Sequence, residues 1–275
     1  MITACTVIVN GDHSLVECLH ESIFLKTSLI SEILVANASV TPQPETNRWL
    51  GKIPIKEFGI PNINEHGIPM GHALGLHECI DKATNDYLWF LDHDIVFLMN
   101  DIDKFYLDIY EKHHLAILGT QHHCRGQCYI NFPTVIACMI RKSLLPPQDF
   151  LKDQIDFPYT LFAHEIDNDT HPKLDGKWLA SGPVTEHVHK FPNPRGIFDV
   201  GCNLWTWGLM NNWRWLSFCV KPTHWPMLYY YNTTNENNFG LQDDFGNNDL
   251  LFHAGMSEGR LDKLKKVLKS SRVTS

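Results

Sequence analysis

The sequence predicts an α/β protein with a mostly parallel central sheet and helices on both faces. Strand-like and helix-like segments alternate over the first hundred residues, which is the order that builds a parallel sheet. The third strand, Tyr87–Leu91, is entirely apolar, as expected for a strand that is covered on both faces. No repeat or long polar linker interrupts the 275 residues. We therefore expect a single domain over residues 1–275.

Hydrophobic periodicity places the individual elements. In the first helix, Leu15, Cys18, Leu19 and Ile23 recur at helical spacing. Strands are predicted at Thr6–Val9, Ile33–Ala36, Tyr87–Leu91, Leu115–Gly119 and Thr134–Ile140. Helices are predicted at Leu15–Phe24, His72–Thr84, Ile102–Lys112, Val200–Leu216 and Gly259–Lys269. Residues 144–198 lack periodicity and are predicted to form loops over the sheet edge, where a substrate can be contacted.

Composition excludes several classes of protein. The chain is 44% hydrophobic, which is far from a disordered composition, and 23 Lys and Arg oppose 31 Asp and Glu, for a net charge of −8. The acidic balance does not favour nucleic acid as a partner, although a local basic groove stays open. No apolar run approaches the roughly 18 residues of a membrane span. Eight cysteines without a secretion signal are expected to be free thiols, and a cytoplasmic location is expected.

The most informative segment joins the apolar third strand to two carboxylates, Asp92 and Asp94. Like charges this close repel each other unless a cation neutralises them. Alternation along a strand would place both side chains on one side and His93 on the other. Hard oxygen ligands at the carboxyl edge of a sheet suit Mg²⁺ or Mn²⁺ holding a diphosphate. The alternative is a strand end that is simply capped by turn-forming aspartates.

Three blocks resemble the nucleotide-sugar half of a GT-A glycosyltransferase, close to glycosyltransferase family 2: Thr6–Asn10 with the helix after it, Ile33–Ser39, and Gly71–Asp94. The resemblance implies a single GT-A domain in which residues 1–100 bind the nucleotide sugar and residues 101–275 bind the acceptor and end in a helix. The nucleotide sugar, a UDP-sugar by default, would be contacted by Val9, Asn10, Asn37, Gly71 and Asp92. The acidic residue with which the family often contacts the nucleobase is replaced here by Ala36 or Asn37.

The implied function is metal-dependent transfer of a hexosyl or pentosyl group from a nucleotide-diphosphate sugar to an acceptor hydroxyl, with inversion. Inversion needs a carboxylate that takes the proton of the attacking hydroxyl. By resemblance this base is Asp199, in a segment that opens a predicted helix, although an Asp there can equally be a helix N-cap. Glu165 and Asp167 are the other candidates. A retaining reaction, which needs no base in that position, is the alternative to inversion. A glycan, a lipid-linked sugar or a modified nucleobase would each serve as acceptor.

The resemblance also implies a role for the segment near the C-terminus, Leu251–Arg260. Glycosyltransferases of this fold often complete the metal site with a histidine here, and His253 follows an apolar stretch. Ser257 and Arg260 would then hold diphosphate oxygens, because the forked donors of arginine match phosphate. A structural histidine and a surface arginine are the alternatives.

Two other functions compete with sugar transfer. A nucleotidyltransferase can have a similar sheet and metal site, but the glycine- and arginine-rich triphosphate loop typical of sugar nucleotidyltransferases does not follow the first strand. A catalytically silent nucleotide- or carbohydrate-binding module would keep the ligands without turnover.

Overall fold

The computed structural model describes residues 1–8, 12–38, 45–60, 63–121, 133–145, 204, 207–208, 211–222, 229–241, 245–255 and 258–273. These residues form eleven strands: β1 (Ile2–Ile8), β2 (Ile30–Asn37), β3 (Thr46–Leu50), β4 (Ile53–Gly59), β5 (Tyr87–Leu91), β6 (Ile95–Phe97), β7 (Ile117–Thr120), β8 (Thr134–Arg141), β9 (Trp215–Pro222), β10 (Tyr229–Asn237) and β11 (Asp249–His253). The helices are α1 (His13–Lys26), α2 (Ile63–Lys82), α3 (Ile102–Lys112) and α4 (Arg260–Val273), with a 3-10 turn at Lys142–Leu144.

Strand β1 lies inside the sheet, and all seven of its residues are buried. Its even-numbered residues, such as Ala4 and Ile8, join the core that includes α1 and α3. The opposite face meets α2 at Gly75, where an added Cβ would lie 2.8 Å from the Val7 side chain and 3.0 Å from the Cβ of Ala36. The prediction of helices on both faces is therefore confirmed, and Gly75 allows α2 to pack closely on β1 and β2.

The prediction of a mostly parallel sheet is not confirmed. Within the described residues the strand order is β3-β4-β2-β1-β5-β8-β7-β9-β10-β11-β6, and six of the ten pairings are antiparallel. Of the four parallel pairs, β1–β2 joins strands that α1 separates in the chain, whereas β1–β5, β2–β4 and β7–β9 each join strands with at least one other strand between them in the chain. The pairs β7–β8, β9–β10 and β10–β11 are consecutive in the chain and pair directly, which requires opposite directions. The apolar run of β5 indicates burial on both faces, but it does not distinguish the two arrangements, since β5 pairs in parallel with β1 and antiparallel with β8.

The last strands bring the C-terminal segment back to the end of β5. Strand β11 pairs with both β10 and β6, and β6 follows β5 after only three residues. Helices α1 and α4 pack on each other and on β6. Their shared core includes Leu15 and Cys18 of α1, Val96 of β6 and Leu264 of α4. Helix α1, in the N-terminal part of the chain, and helix α4, in the C-terminal part, therefore pack on the same strand.

Several predicted bounds differ from the structure. Helix α2 begins at Ile63 and not at His72, and the predicted helix over Val200–Leu216 is wrong at its end, where β9 begins at Trp215 after a turn with left-handed backbone at Asn212. Strands β3, β4, β6, β9, β10 and β11 were not predicted. β3 is an edge strand with four exposed residues and shows no buried alternation. Among the described helices, none is long and apolar enough to cross a bilayer.

Candidate metal and diphosphate site

The two carboxylates of the motif lie in a turn. Strand β5 ends at Leu91, and Asp92, His93 and Asp94 connect it to β6. The backbone N–H of Asp92 still donates to the carbonyl of Ile136 in β8, at 2.9 Å, so the turn starts from a fixed strand end. Strand alternation is thus not the reason for the arrangement of these side chains. The tight β5–β6 connection nevertheless keeps Asp92 and Asp94 together.

His253 reaches the turn through strand register. In the antiparallel pair of β11 and β6, His253 lies opposite Ile95, the residue that follows Asp94. The backbone N–H of Ala254 donates to the carbonyl of Asp94 at 3.0 Å, which continues the pairing by one residue. The imidazole Nε2 of His253 lies 3.1 Å from Oδ1 of Asp94 and 3.6 Å from Oδ2 of Asp92. The structure therefore brings together the three residues that the sequence predicted as metal ligands.

The geometry and chemistry of this group fit a divalent cation. One ligand atom from each of Asp92, Asp94 and His253 lies within 4.8 Å of the others. Two ligands of one cation at about 2.2 Å can be up to about 4.4 Å apart, so a small movement of the side chains suffices. Asp94 and His253 are each 6% exposed at the side chain, and Asp92 is 18% exposed. The cation would therefore be reached from the side of Asp92.

Asp94 carries its charge in a buried position. Burial by itself raises the pKa of Asp94, but the charge interaction and hydrogen bond with His253, together with the interactions with His93 and Arg260, outweigh that effect and lower the pKa to about 2. Burial has the opposite consequence for His93 and lowers its pKa, which keeps this imidazole neutral near pH 7. An ionised carboxylate beside an imidazole is a ready oxygen donor for a cation.

Arg260 does not stand free at the edge of the site. Its Nη2 pairs with Oδ2 of Asp12, and its Nη1 lies 4.0 Å from Oδ2 of Asp94. Nε2 of His93 lies 3.6 Å from the same Asp12 oxygen. The arginine predicted to hold a diphosphate is thus next to the metal-ligand group and 32% exposed at its side chain. Asp12 was not predicted as a site residue, and its only local signal is its position directly before α1.

Asn37, predicted to contact the nucleobase, lies at the end of β2 and is 2% exposed. Its amide Nδ2 donates to Oε1 of Glu57 on the adjacent strand β4, at 2.9 Å. Glu57 also lies 3.8 Å from Nδ1 of His13 and 3.9 Å from Nη2 of Arg48. Strand β4 therefore places a carboxylate beside Asn37. Sequence reasoning missed Glu57 because β4 itself was not predicted.

Helix α2 contributes one further side chain to the site. Nε2 of His72 lies 3.7 Å from Oδ1 of Asp92, on the other carboxylate oxygen from the one nearer to His253. Gly71, predicted to contact the nucleotide, is buried inside α2 and does not precede the helix. Contact between Gly71 and the nucleotide stays a prediction.

Six of the predicted site residues lie outside the described residues. They are Val9, Asn10, Glu165, Asp167, Asp199 and Ser257. Their roles as nucleotide contacts, candidate bases and diphosphate ligand stay predictions.

What the fold and the site define together is a mixed α/β protein with a candidate divalent-metal centre. No protein-family model matches the chain, and no curated protein matches it. Among solved structures, S. aureus TarS 1–349 matches at 16% identity and a TM-score of 0.36, over 55% of this chain and 48% of that one.

The same TarS fragment in complex with UDP-GlcNAc matches at 17% identity and a TM-score of 0.36, over 55% of this chain and 46% of that one. The glycosyltransferase GlyE of Streptococcus pneumoniae TIGR4 matches at 16% identity and a TM-score of 0.35, over 51% and 34%. The chain spans less than half the length of each of these three structures. Because the scores are low, the function proposed below rests on the residues of this chain.

Proposed function

We propose that the protein is a metal-dependent glycosyltransferase that moves a sugar from a nucleotide-diphosphate sugar, by default a UDP-sugar, to an acceptor hydroxyl with inversion. The observation that carries the proposal is the grouping of Asp92, Asp94 and His253 within 4.8 Å at the carboxyl end of β5. Two carboxylates and an imidazole suit Mn²⁺ at least as well as Mg²⁺. A divalent cation bound there supplies the positive charge that stabilises a departing diphosphate.

The chain's own residues would bind and orient the donor. Arg260, beside Asp94, offers guanidinium donors to a phosphate oxygen. Asn37 and Glu57, linked by a hydrogen bond at the ends of β2 and β4, offer an amide and a carboxylate to the base or ribose. These two groups lie at the ends of parallel strands of one sheet, where ligands of open α/β sheets bind.

Asp199 is the proposed base, with Glu165 and Asp167 as the other candidates. A base of this kind accepts the proton of the acceptor hydroxyl as the hydroxyl attacks the anomeric carbon. We expect Asp199→Asn to bind the donor like the wild type and to lose transfer by roughly a hundredfold or more. Transfer at the wild-type rate in Asp199→Asn, together with its loss in Glu165→Gln or Asp167→Asn, would move the role to that residue.

The proposed reaction can be tested before the acceptor is known. The purified protein is incubated with UDP-GlcNAc, UDP-glucose or GDP-mannose and Mn²⁺, and the slow release of nucleotide diphosphate to water is followed by chromatography. We expect release with at least one donor, its abolition by EDTA, and its absence in Asp94→Asn. Pyrophosphate release from a sugar phosphate and a nucleoside triphosphate would instead identify a nucleotidyltransferase. Tight donor binding without any turnover would identify a silent binding module.

A further inference from the structure

Asp12 stands where an aspartate ordinarily caps a helix, yet it does not cap α1. The first helical hydrogen bond runs to its backbone carbonyl, from the N–H of Leu15 at 3.1 Å, so the residue occupies the N-cap position. Its side chain makes no capping hydrogen bond. An aspartate at this position ordinarily stabilises the helix by accepting a hydrogen bond from a free backbone N–H of the first turn. The carboxylate is turned to Arg260 instead, across a sequence separation of 248 residues.

Arg260 is equally unusual for its position. It is the first residue of α4, preceded by Gly259 with a φ of +65°, and a cation at a helix N-terminus opposes the helix dipole. Its guanidinium lies near two carboxylates. Nη2 pairs with Oδ2 of Asp12, and Nη1 lies 4.0 Å from Oδ2 of Asp94. Asp94 is the more buried of the two, at 6% side-chain exposure against 30% for Asp12.

A guanidinium and a divalent cation would compete for Asp94, because both are positive and both need its oxygens. A direct Arg260–Asp94 pair, without Asp12, would neutralise a ligand of the metal group. The pairing with Asp12 engages Nη2 of Arg260, while Nη1 stays 4.0 Å from Oδ2 of Asp94, so the guanidinium is near the metal group without a close ion pair to Asp94.

We propose that Asp12 is a positioning residue that holds Arg260 off Asp94 and thereby keeps the Asp92–Asp94–His253 group open to a divalent cation. The inference rests on the proposed function, because it assumes that this group binds the metal. Asp12 acts through Arg260 and not by touching the metal or the substrate.

The test is a double-mutant cycle with Mn²⁺ alone as the probe. Mn²⁺ affinity is measured by electron paramagnetic resonance in the wild type, Asp12→Asn, Arg260→Met and the double variant. We expect Asp12→Asn to weaken Mn²⁺ binding at least about twofold, because neighbouring charged residues are energetically coupled. In Arg260→Met the competing cation is gone, so adding Asp12→Asn should cause no further loss.

Two controls separate this role from folding and from net charge. Asp12→Ser can cap α1 and lacks the negative charge, so it should weaken Mn²⁺ binding as Asp12→Asn does even if the asparagine variant folds poorly. Asp12→Glu should retain most of the wild-type affinity. Asp262→Asn removes one negative charge from an exposed position in the first turn of α4 and should bind Mn²⁺ like the wild type.

The outcomes distinguish the inference from the function on which it rests. If the wild type binds Mn²⁺ and Asp12→Asn loses affinity equally with or without Arg260, Asp12 acts through its own charge and the positioning role is wrong. Unchanged affinity in both Asp12→Asn and Asp12→Ser overturns it as well. Failure of the folded wild type to bind Mn²⁺ contradicts the metal site itself, and the inference falls with it.

Discussion

The first half of the sheet, strands β1–β5, and the second half, strands β6–β11, are built by different rules. Three of the four pairings within the first half are parallel, whereas five of the six that attach the second half are antiparallel. The candidate site lies where the halves meet. The turn after β5 supplies Asp92 and Asp94, and β11 supplies His253. The local sequence pattern places Asp92 and Asp94 directly after β5. The register of β11 against β6 places His253 beside them.

The largest expected effect comes from replacing His253, the residue that the second half of the sheet contributes to the site. Removing the imidazole by His253→Ala takes away one of three ligands and leaves the buried Asp94 carboxylate less neutralised. We expect Mn²⁺ affinity to fall by about 100-fold, comparable to the upper range for altered metal sites. The measurement is an equilibrium Mn²⁺ titration.

A matched control for His253→Ala is His114→Asn. His114 is exposed and has left-handed backbone, with a φ of 51°, which asparagine tolerates. It should bind Mn²⁺ like the wild type. Equal affinity of His253→Ala and the wild type would contradict the assignment of His253.

The next largest expected effect is on the packing of α2 against the first half of the sheet. In Gly75→Val the new side chain enters the contact between α2 and strands β1 and β2, where even a Cβ lies 2.8 Å from Val7 and 2.9 Å from Ile60. Overpacking of this kind costs about 1–3 kcal/mol of unfolding free energy. Urea unfolding would measure the loss. Mn²⁺ affinity of the folded variant should change little, because the ligands are on other elements.

A smaller, pH-dependent effect comes from His20 in α1. Burial and, to a smaller extent, the nearby charge of Arg48 lower its pKa to about 3. Since the unfolded pKa is about 6.5, the unfolded state binds more protons between these values, and stability falls as pH drops below about 6.5. At pH 5 the expected loss from this group is about 2 kcal/mol. Unfolding of His20→Gln should show a smaller decline from pH 7 to pH 5.

The absence of that difference would contradict the account of His20. If the wild type and His20→Gln lose the same free energy of unfolding between pH 7 and pH 5, His20 does not remain neutral in the folded protein. Mn²⁺ binding at pH 7 should be equal in the two proteins, since His20 is not one of the residues of the candidate metal site.

The comparison also explains how much of the molecule could be predicted. Strand β5 and helix α3 were predicted at the bounds that the structure has, because their apolar periodicity is local. Strand β4 was missed, and with it Glu57, the partner of Asn37. Asp92 and Asp94 were predicted as cation ligands from the apolar strand that precedes them, and His253 was predicted only through the family resemblance. The Asp12–Arg260 pair was not predicted, since 248 residues separate its members and nothing in either segment indicates the other.

The central claim is that one divalent cation is held by residues from both halves of the sheet. The most direct measurement is a crystal structure with Mn²⁺ and UDP, with data collected at the manganese absorption edge. We expect one strong anomalous peak within about 2.5 Å of ligand atoms of Asp92, Asp94 and His253, with a diphosphate oxygen beside it. A peak bound by other residues, or no peak in crystals that contain bound UDP, would contradict the account.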